Sequence, residues 1–236
     1  MKTKLVAAFI LFTFILTGIQ VQAEEQTRKV DPFTSISLRI SANVHLTQGD
    51  KQNLEIVAKS STLEEILTEV KDGELIIRFP NKNFFWSDFN PGEITINITT
   101  AEINRLGVSG SGDIIAEDEI KAKSLDLAVS GSGNIKLMEL SAVRVKTTIS
   151  GSGNIYLAGK TAAEDLSAAI SGSGNLKALD FNADDVNVKV SGSGNVSIEA
   201  NKNLNVRVSG SGNVNYKGDP MIDSAISGSG KVNDVN

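Results

Sequence analysis

Seven copies of Ser-Gly-Ser-Gly begin at Ser109, Ser130, Ser150, Ser171, Ser191, Ser209 and Ser227, spaced 21, 20, 21, 20, 18 and 18 residues apart. A fixed period near 20 residues marks an architecture in which each copy is one structural unit stacked on its neighbours. Apolar residues alternate on both sides of the motif, as in Val186-x-Val188-x-Val190 before it and Val196-x-Ile198 after it. That period of two belongs to strands with one buried face, and Lys136, Lys146, Lys177, Lys189 and Arg207 fall on the outward positions. Each period therefore predicts two short strands joined by the Ser-Gly-Ser-Gly corner and by a variable second corner. One such coil cannot bury its own apolar face, but a stack can, at about 4.8 Å per coil. The expectation is an all-β fold, a β-helix or β-solenoid with coils of about 20 residues. The period is too short for a β-propeller blade.

The corner's composition suits such a stack. Glycine turns the chain where φ is positive, and serine is small enough to repeat at a crowded edge. The next position is Asn134, Asn154, Asn175, Asn195 and Asn213 in five consecutive copies, with Asp113 before them and Lys231 after. Stacked amides both donate and accept, so these five residues predict an asparagine ladder bounded by the two charged positions.

Residues 24–108 read as irregular β coils that also cap the rod, ahead of a repeat solenoid over 109–236. Ile36-x-Leu38-x-Ile40 and Ile94-x-Ile96-x-Ile98 alternate, and Asp72-Gly73 predicts a hairpin turn. A short helical turn is expected near residues 62–67. At the other end, Lys231 and Asp234 either guard the last coil or leave it open for a partner or a second copy. Residues 1–23 have the pattern of a signal peptide: Lys2 and Lys4, an apolar run from Leu5 to Leu16, then Val21-Gln22-Ala23. The run is too short to span a bilayer, and no later segment is apolar enough to do so. Export to the periplasm, cell surface or medium follows. Removing the leader moves the formal charge from −5 to −7, which argues against nucleic acid as a partner. The chain has no cysteine, so disulfides, thiol chemistry and a lipid-modified cysteine are excluded.

Three stretches carry a resemblance to a known family: Ile40-Ser41-Ala42-Asn43-Val44-His45-Leu46-Thr47-Gln48-Gly49-Asp50, Glu69-Val70-Lys71-Asp72-Gly73-Glu74-Leu75-Ile76-Ile77, and the repeated Ser-Gly-Ser-Gly-Asn. Together they resemble the "putative auto-transporter adhesin, head GIN domain" family over nearly all of the chain after residue 23. The resemblance implies an exported, all-β, right-handed helical stack of a kind common in Bacteroidetes-type bacteria, with adhesion as the function its name suggests.

Candidate chemistry is sparse. Phosphate loops need a Lys-Ser/Thr pair entering a helix, and calcium β-rolls use nine-residue repeats with Asp ligands; neither pattern is present. No cofactor is expected. His45, the only histidine, sits between Val44 and Leu46 and should face away from them. Glu117-Asp118-Glu119, Glu164-Asp165 and Asp184-Asp185 all fall at the second corner, where they form a solvated face or a stacked acidic stripe. The sharpest local feature is Phe84, Phe85, Trp86 and Phe89, between the breakers Pro80 and Pro91. These aromatics either stack on sugar rings or a protein partner, or plug an end of the rod. Two functional classes follow. One is a non-catalytic envelope adhesin or scaffold that contacts glycan or protein. The other is a carbohydrate-active enzyme on a β-helix, which requires a groove with convergent carboxylates.

Overall fold

The structure is a computed structural model that describes residues 23–80 and 90–236. Phe84, Phe85, Trp86 and Phe89, and the leader up to Gln22, lie outside the described residues.

In the repeat, strands follow the alternation. β1 (Ala23–Thr27), β2 (Ser35–Leu38), β3 (Asn43–Gln48), β4 (Asn53–Lys59), α1 (Ser60–Glu65), β5 (Leu67–Lys71), β6 (Glu74–Arg78), β7 (Thr95–Thr100) and β8 (Arg105–Gly110) precede it. The stack proper comprises β9 (Asp113–Gly131), β10 (Asn134–Gly151), β11 (Asn154–Ala158), β12 (Ala163–Gly172), β13 (Asn175–Gly192), β14 (Asn195–Gly210), β15 (Asn213–Lys217), β16 (Met221–Gly228) and β17 (Lys231–Asp234). Successive coils pair in parallel and in register, for example Val186 with Leu204 and Val188 with Val206. The inward row is buried along the stack: Leu127, Thr147, Ala168, Val188 and Val206 occupy one level of it.

The coils have a third side that the simple alternation does not predict. β9, β10, β13 and β14 run through the second corner without a break, and Leu140 pairs with Ile120 there. Ile120, Leu140, Phe181 and Ala200 point inward from this side and are buried. A 20- to 21-residue coil is too long for two short strands and two tight turns, so the excess chain folds into a further wall.

Each Ser-Gly-Ser-Gly corner is bonded to the one before it. The carbonyl of Gly131 accepts the N–H groups of Ser152 and Gly153 at 2.8 and 3.0 Å, and the same pattern recurs from corner to corner. Gly151 takes φ 123°, and a Cβ on Gly153 would lie 2.2 Å from the carbonyl oxygen of Gly133. The serine side chains at these corners are mostly exposed.

The beginning of the chain is woven out of sequence order. β2 pairs in parallel with β6 on one side and β8 on the other, and β3 lies likewise between β7 and β9. The coil of β6 and β7 therefore sits outside the coil of β2 and β3. Beyond this coil the direction reverses: β4 pairs antiparallel with β7, β1 with β4, and β5 with β6 through a turn with Asp72 at φ 52° and Gly73 at φ 75°. Helix α1 packs under β4, and Arg28 donates to the carbonyls of Leu63 and Ile66 at the end of α1. Burial holds the pKa of that guanidinium below its ordinary value.

Candidate functional site: an outward column and a bulged corner

Stacking in register turns each sequence position into a column. The position after each corner holds the amides. Asn154 Nδ2 donates to Asn134 Oδ1 at 2.8 Å, Asn175 to Asn154 at 2.8 Å, Asn195 to Asn175 at 3.0 Å and Asn213 to Asn195 at 3.1 Å. Asn134 Nδ2 in turn donates to Asp113 Oδ1 at 2.7 Å. Every donor points toward the N-terminal end. A carboxylate, which only accepts, stands where the last amide needs an acceptor. Lys231, which only donates, stands level with Asn213 at the opposite end.

Two residues further on is an outward column. His45 is exposed there beside Ile115, followed coil by coil by Lys136, Tyr156, Lys177 and Ser197. The ring of half-buried Tyr156 is held between two ammonium groups, Lys177 Nζ at 4.9 Å and Lys136 Nζ at 5.9 Å from its centroid. Lys136 also lies 3.6 Å from the carboxylate of Asp113.

Beside this column the second corner is irregular, and the irregularity makes a groove of about 650 Å³. β13 carries three extra residues here, because Ala178 pairs with Ile198 and Asn182 with Glu199. Of the three, Phe181 turns inward and is buried, while Leu179 and Asp180 line the groove. β11 stops at Ala158, and Met138 is 54 % exposed where the register of β10 shifts. Met138, Leu179 and Tyr156 supply the apolar wall, with Lys136 and Lys177 on the rim. Asp180 is the one carboxylate among the lining residues, so the pair that glycoside hydrolysis requires is not assembled there. Among the described residues, no cluster of three or more His, Cys, Asp or Glu side chains is placed to hold a metal ion.

The acidic second corner is interleaved with lysine. Lys160 lies 2.8 Å from Glu139, Lys121 2.9 Å from Glu119, and Lys202 2.7 Å from Asp184. Hydrogen bonds from Lys202, then from Asn201, hold the Asp184 carboxyl below its ordinary pKa, and Glu139 holds Lys160 above its own. Asp165 pairs in register with Asp185, and Glu119 with Glu139, so parts of the stripe stack carboxylate on carboxylate with lysines bonded beside them. Sequence reading did not single out Tyr156 and Met138. The signal for Tyr156 was an aromatic between two lysines, one period before and after it; Met138 and Leu179 depend on the bulge and left none.

A parallel stack with a side-chain-filled interior and columnar outer faces defines a β-solenoid. Residues 32–220 match the family described as "Putative auto-transporter adhesin, head GIN domain", and the chain belongs to that family. Among solved structures, a putative adhesin from Bacteroides fragilis NCTC 9343 is similar over 91 % of this chain and 97 % of its own, at 25 % identity and a TM-score of 0.84. A protein from Parabacteroides distasonis ATCC 8503 described as a putative lipid binding protein covers 92 % and 98 %, at 26 % identity and 0.76. A putative adhesin from Parabacteroides merdae ATCC 43184 shares the fold at 20 % identity and 0.72, over 92 % and 98 %. No curated protein matches the chain. The chain is an exported, non-catalytic cell-envelope protein of the adhesin or scaffold type. No helix among the described residues is long and apolar enough to cross a membrane.

Proposed function

We propose that residues 1–23 are removed on export and that the remaining chain recognises an acidic glycan through the groove beside Tyr156. The observation that carries this reading is the Lys136–Tyr156–Lys177 column next to an apolar wall. An aromatic ring takes the apolar face of a sugar, and an ammonium takes its carboxylate or sulfate. In the free protein both ammonium groups rest against the Tyr156 ring. An anionic sugar draws them to itself and replaces them on that ring. Phe84, Phe85, Trp86 and Phe89 are proposed as a second contact, since clustered aromatics serve sugar or protein partners equally. The C-terminal coil is proposed as the place where copies of the chain join.

The test is a panel of neutral and acidic polysaccharides probed with the leaderless protein at two salt concentrations. Binding confined to acidic members and weakened by salt is expected. Tyr156→Ala and Lys177→Ala should each weaken it about tenfold, the effect of losing ~1.4 kcal/mol. No glycan binding, with capture of an envelope protein that Tyr156→Ala abolishes, transfers the groove to a protein partner. Binding that survives Tyr156→Ala but not Trp86→Ala moves the site to the aromatic segment.

A further inference from the structure

The last coil is paired on one side only. β16 lies on β14 and β17 on β15, and among the described residues nothing pairs with their other edges. All eight residues of β16 are exposed, whereas Leu204, Val206 and Val208, the equivalent inward row of β14, are buried. Ile222 and Ile226 are 44 % and 41 % exposed. An apolar strand edge with free N–H and C=O groups is a template for another strand. At the opposite end the wall that carries β16 finishes in β5, Leu-Thr-Glu-Val-Lys, with Glu69 and Lys71 exposed, and the wall that carries β17 finishes in β1, Ala-Glu-Glu-Gln-Thr. Stacking the tail of one copy on the head of another would set Ile222 and Ile226 against Thr68 and Val70 of β5, one polar and the other already packed on its own core, and would run on as an open filament. Tail-to-tail pairing instead matches two isoleucines to two and closes on itself as a two-fold dimer.

We infer that two copies join tail to tail, β16 antiparallel to β16, about a two-fold axis through Ser224. This deepens, and rests on, the assignment of the C-terminal coil to self-association. The register follows from the side chains, because inward residues must meet inward residues. Centring on Ser224 sets Ile222 of one copy opposite Ile226 of the other, twice. On the outer face Asp223 then stands opposite Ala225, the end of the column Lys189–Arg207–Ala225. Each Asp223, bonded to Arg207 of its own copy at 2.7 Å, thus also faces the other copy's basic column across a small side chain, and two carboxylates meet two guanidinium groups. The neighbouring registers fail on charge. Centring on Asp223 opposes two carboxylates, and centring on Ala225 runs two Arg207 columns head to head. Either shift also parts the isoleucines and sets one of them against Ser224.

The absence of cysteine makes the register directly readable. The leaderless protein is expected to sediment at twice the monomer mass, with dissociation on dilution. Oxidised Ser224→Cys should form a covalent dimer, since residues directly opposite are within disulfide reach. Ala225→Cys alone should not, whereas an equimolar mixture of Asp223→Cys and Ala225→Cys should. Ile226→Glu, or Ser224→Arg where that variant folds poorly, should be monomeric with an unchanged β spectrum. A dimer that cross-links through Ala225→Cys but not Ser224→Cys overturns the register and leaves self-association standing. A monomer at every concentration overturns both.

Discussion

Gly151 and Gly153 stand two residues apart in one corner, yet different constraints hold them. Gly151 needs φ 123°, which an L side chain rarely adopts, and Gly153 has the Gly133 carbonyl oxygen where a Cβ would go, 2.2 Å away. Gly153→Ala must push two coils apart, so it should cost about 3 kcal/mol or more in urea unfolding, against about 0.5 or less for exposed Ser152→Ala. An equal effect of the two would contradict the close approach. The ladder position has a polarity that makes a second test. Asp113 receives the amide of Asn134, so Asp113→Asn keeps an acceptor there. Asp113→Lys instead sets donor against donor and leaves a part-buried amide unpaired, a loss of about 1–3 kcal/mol. The aligned amides carry their N–H ends toward Asp113 and their C=O ends toward Lys231. The charges at the two limits thus oppose the row's dipole, as charges at helix ends do.

At the scale of elements, β16 is tied to the stack by its ladder and by Arg207, whose Nη2 lies 2.7 Å from Asp223 Oδ2. The hydrogen bond from Arg207, then its charge, holds the Asp223 carboxyl below the ordinary aspartate pKa. A depressed carboxylate stabilises the fold fully above its unfolded value and ceases to do so as pH falls through the lower folded one. An NMR titration should therefore place the Asp223 midpoint below that of free aspartate, and Arg207→Gln should raise it. A midpoint unmoved by that variant would mean the pair does not form in solution. Much of the element structure could be read from the residues, since the corner tetrapeptide and the period-two rows before it each end in a strand. The third side was not readable, because Ile120, Leu140 and Phe181 sit in stretches whose alternation breaks at the bulges. Nor was the placing of β2 between β6 and β8, which brings Ile36 beside both Leu75 and Leu106. Nothing local to any of those strands states that order. The groove inherits the same difficulty, since Tyr156, Met138 and Leu179 meet only once three coils are stacked.

For the whole molecule, a stack in which each coil touches only its neighbours has a stability that varies along its length. The N-terminal end is woven: removing Leu38, fully buried between β6 and β8, disturbs three coils together. Leu38→Ala should cost about 2–5 kcal/mol. The C-terminal end has no such bracing, and its apolar row is half in water. Amide exchange should therefore be slowest through 185–192, where β13 is paired on both sides, and fast through 221–228 in dilute protein. Raising the protein concentration should protect 221–228 selectively, because tail-to-tail pairing supplies the missing edge while adding nothing to strands already paired. Ile226→Glu should abolish that concentration dependence and leave the protection of 185–192 in place. Protection of 221–228 that is high at every dilution would mean the last coil is as firmly held as the middle ones. The gradient from woven head to open tail would then be wrong, whatever the oligomeric state.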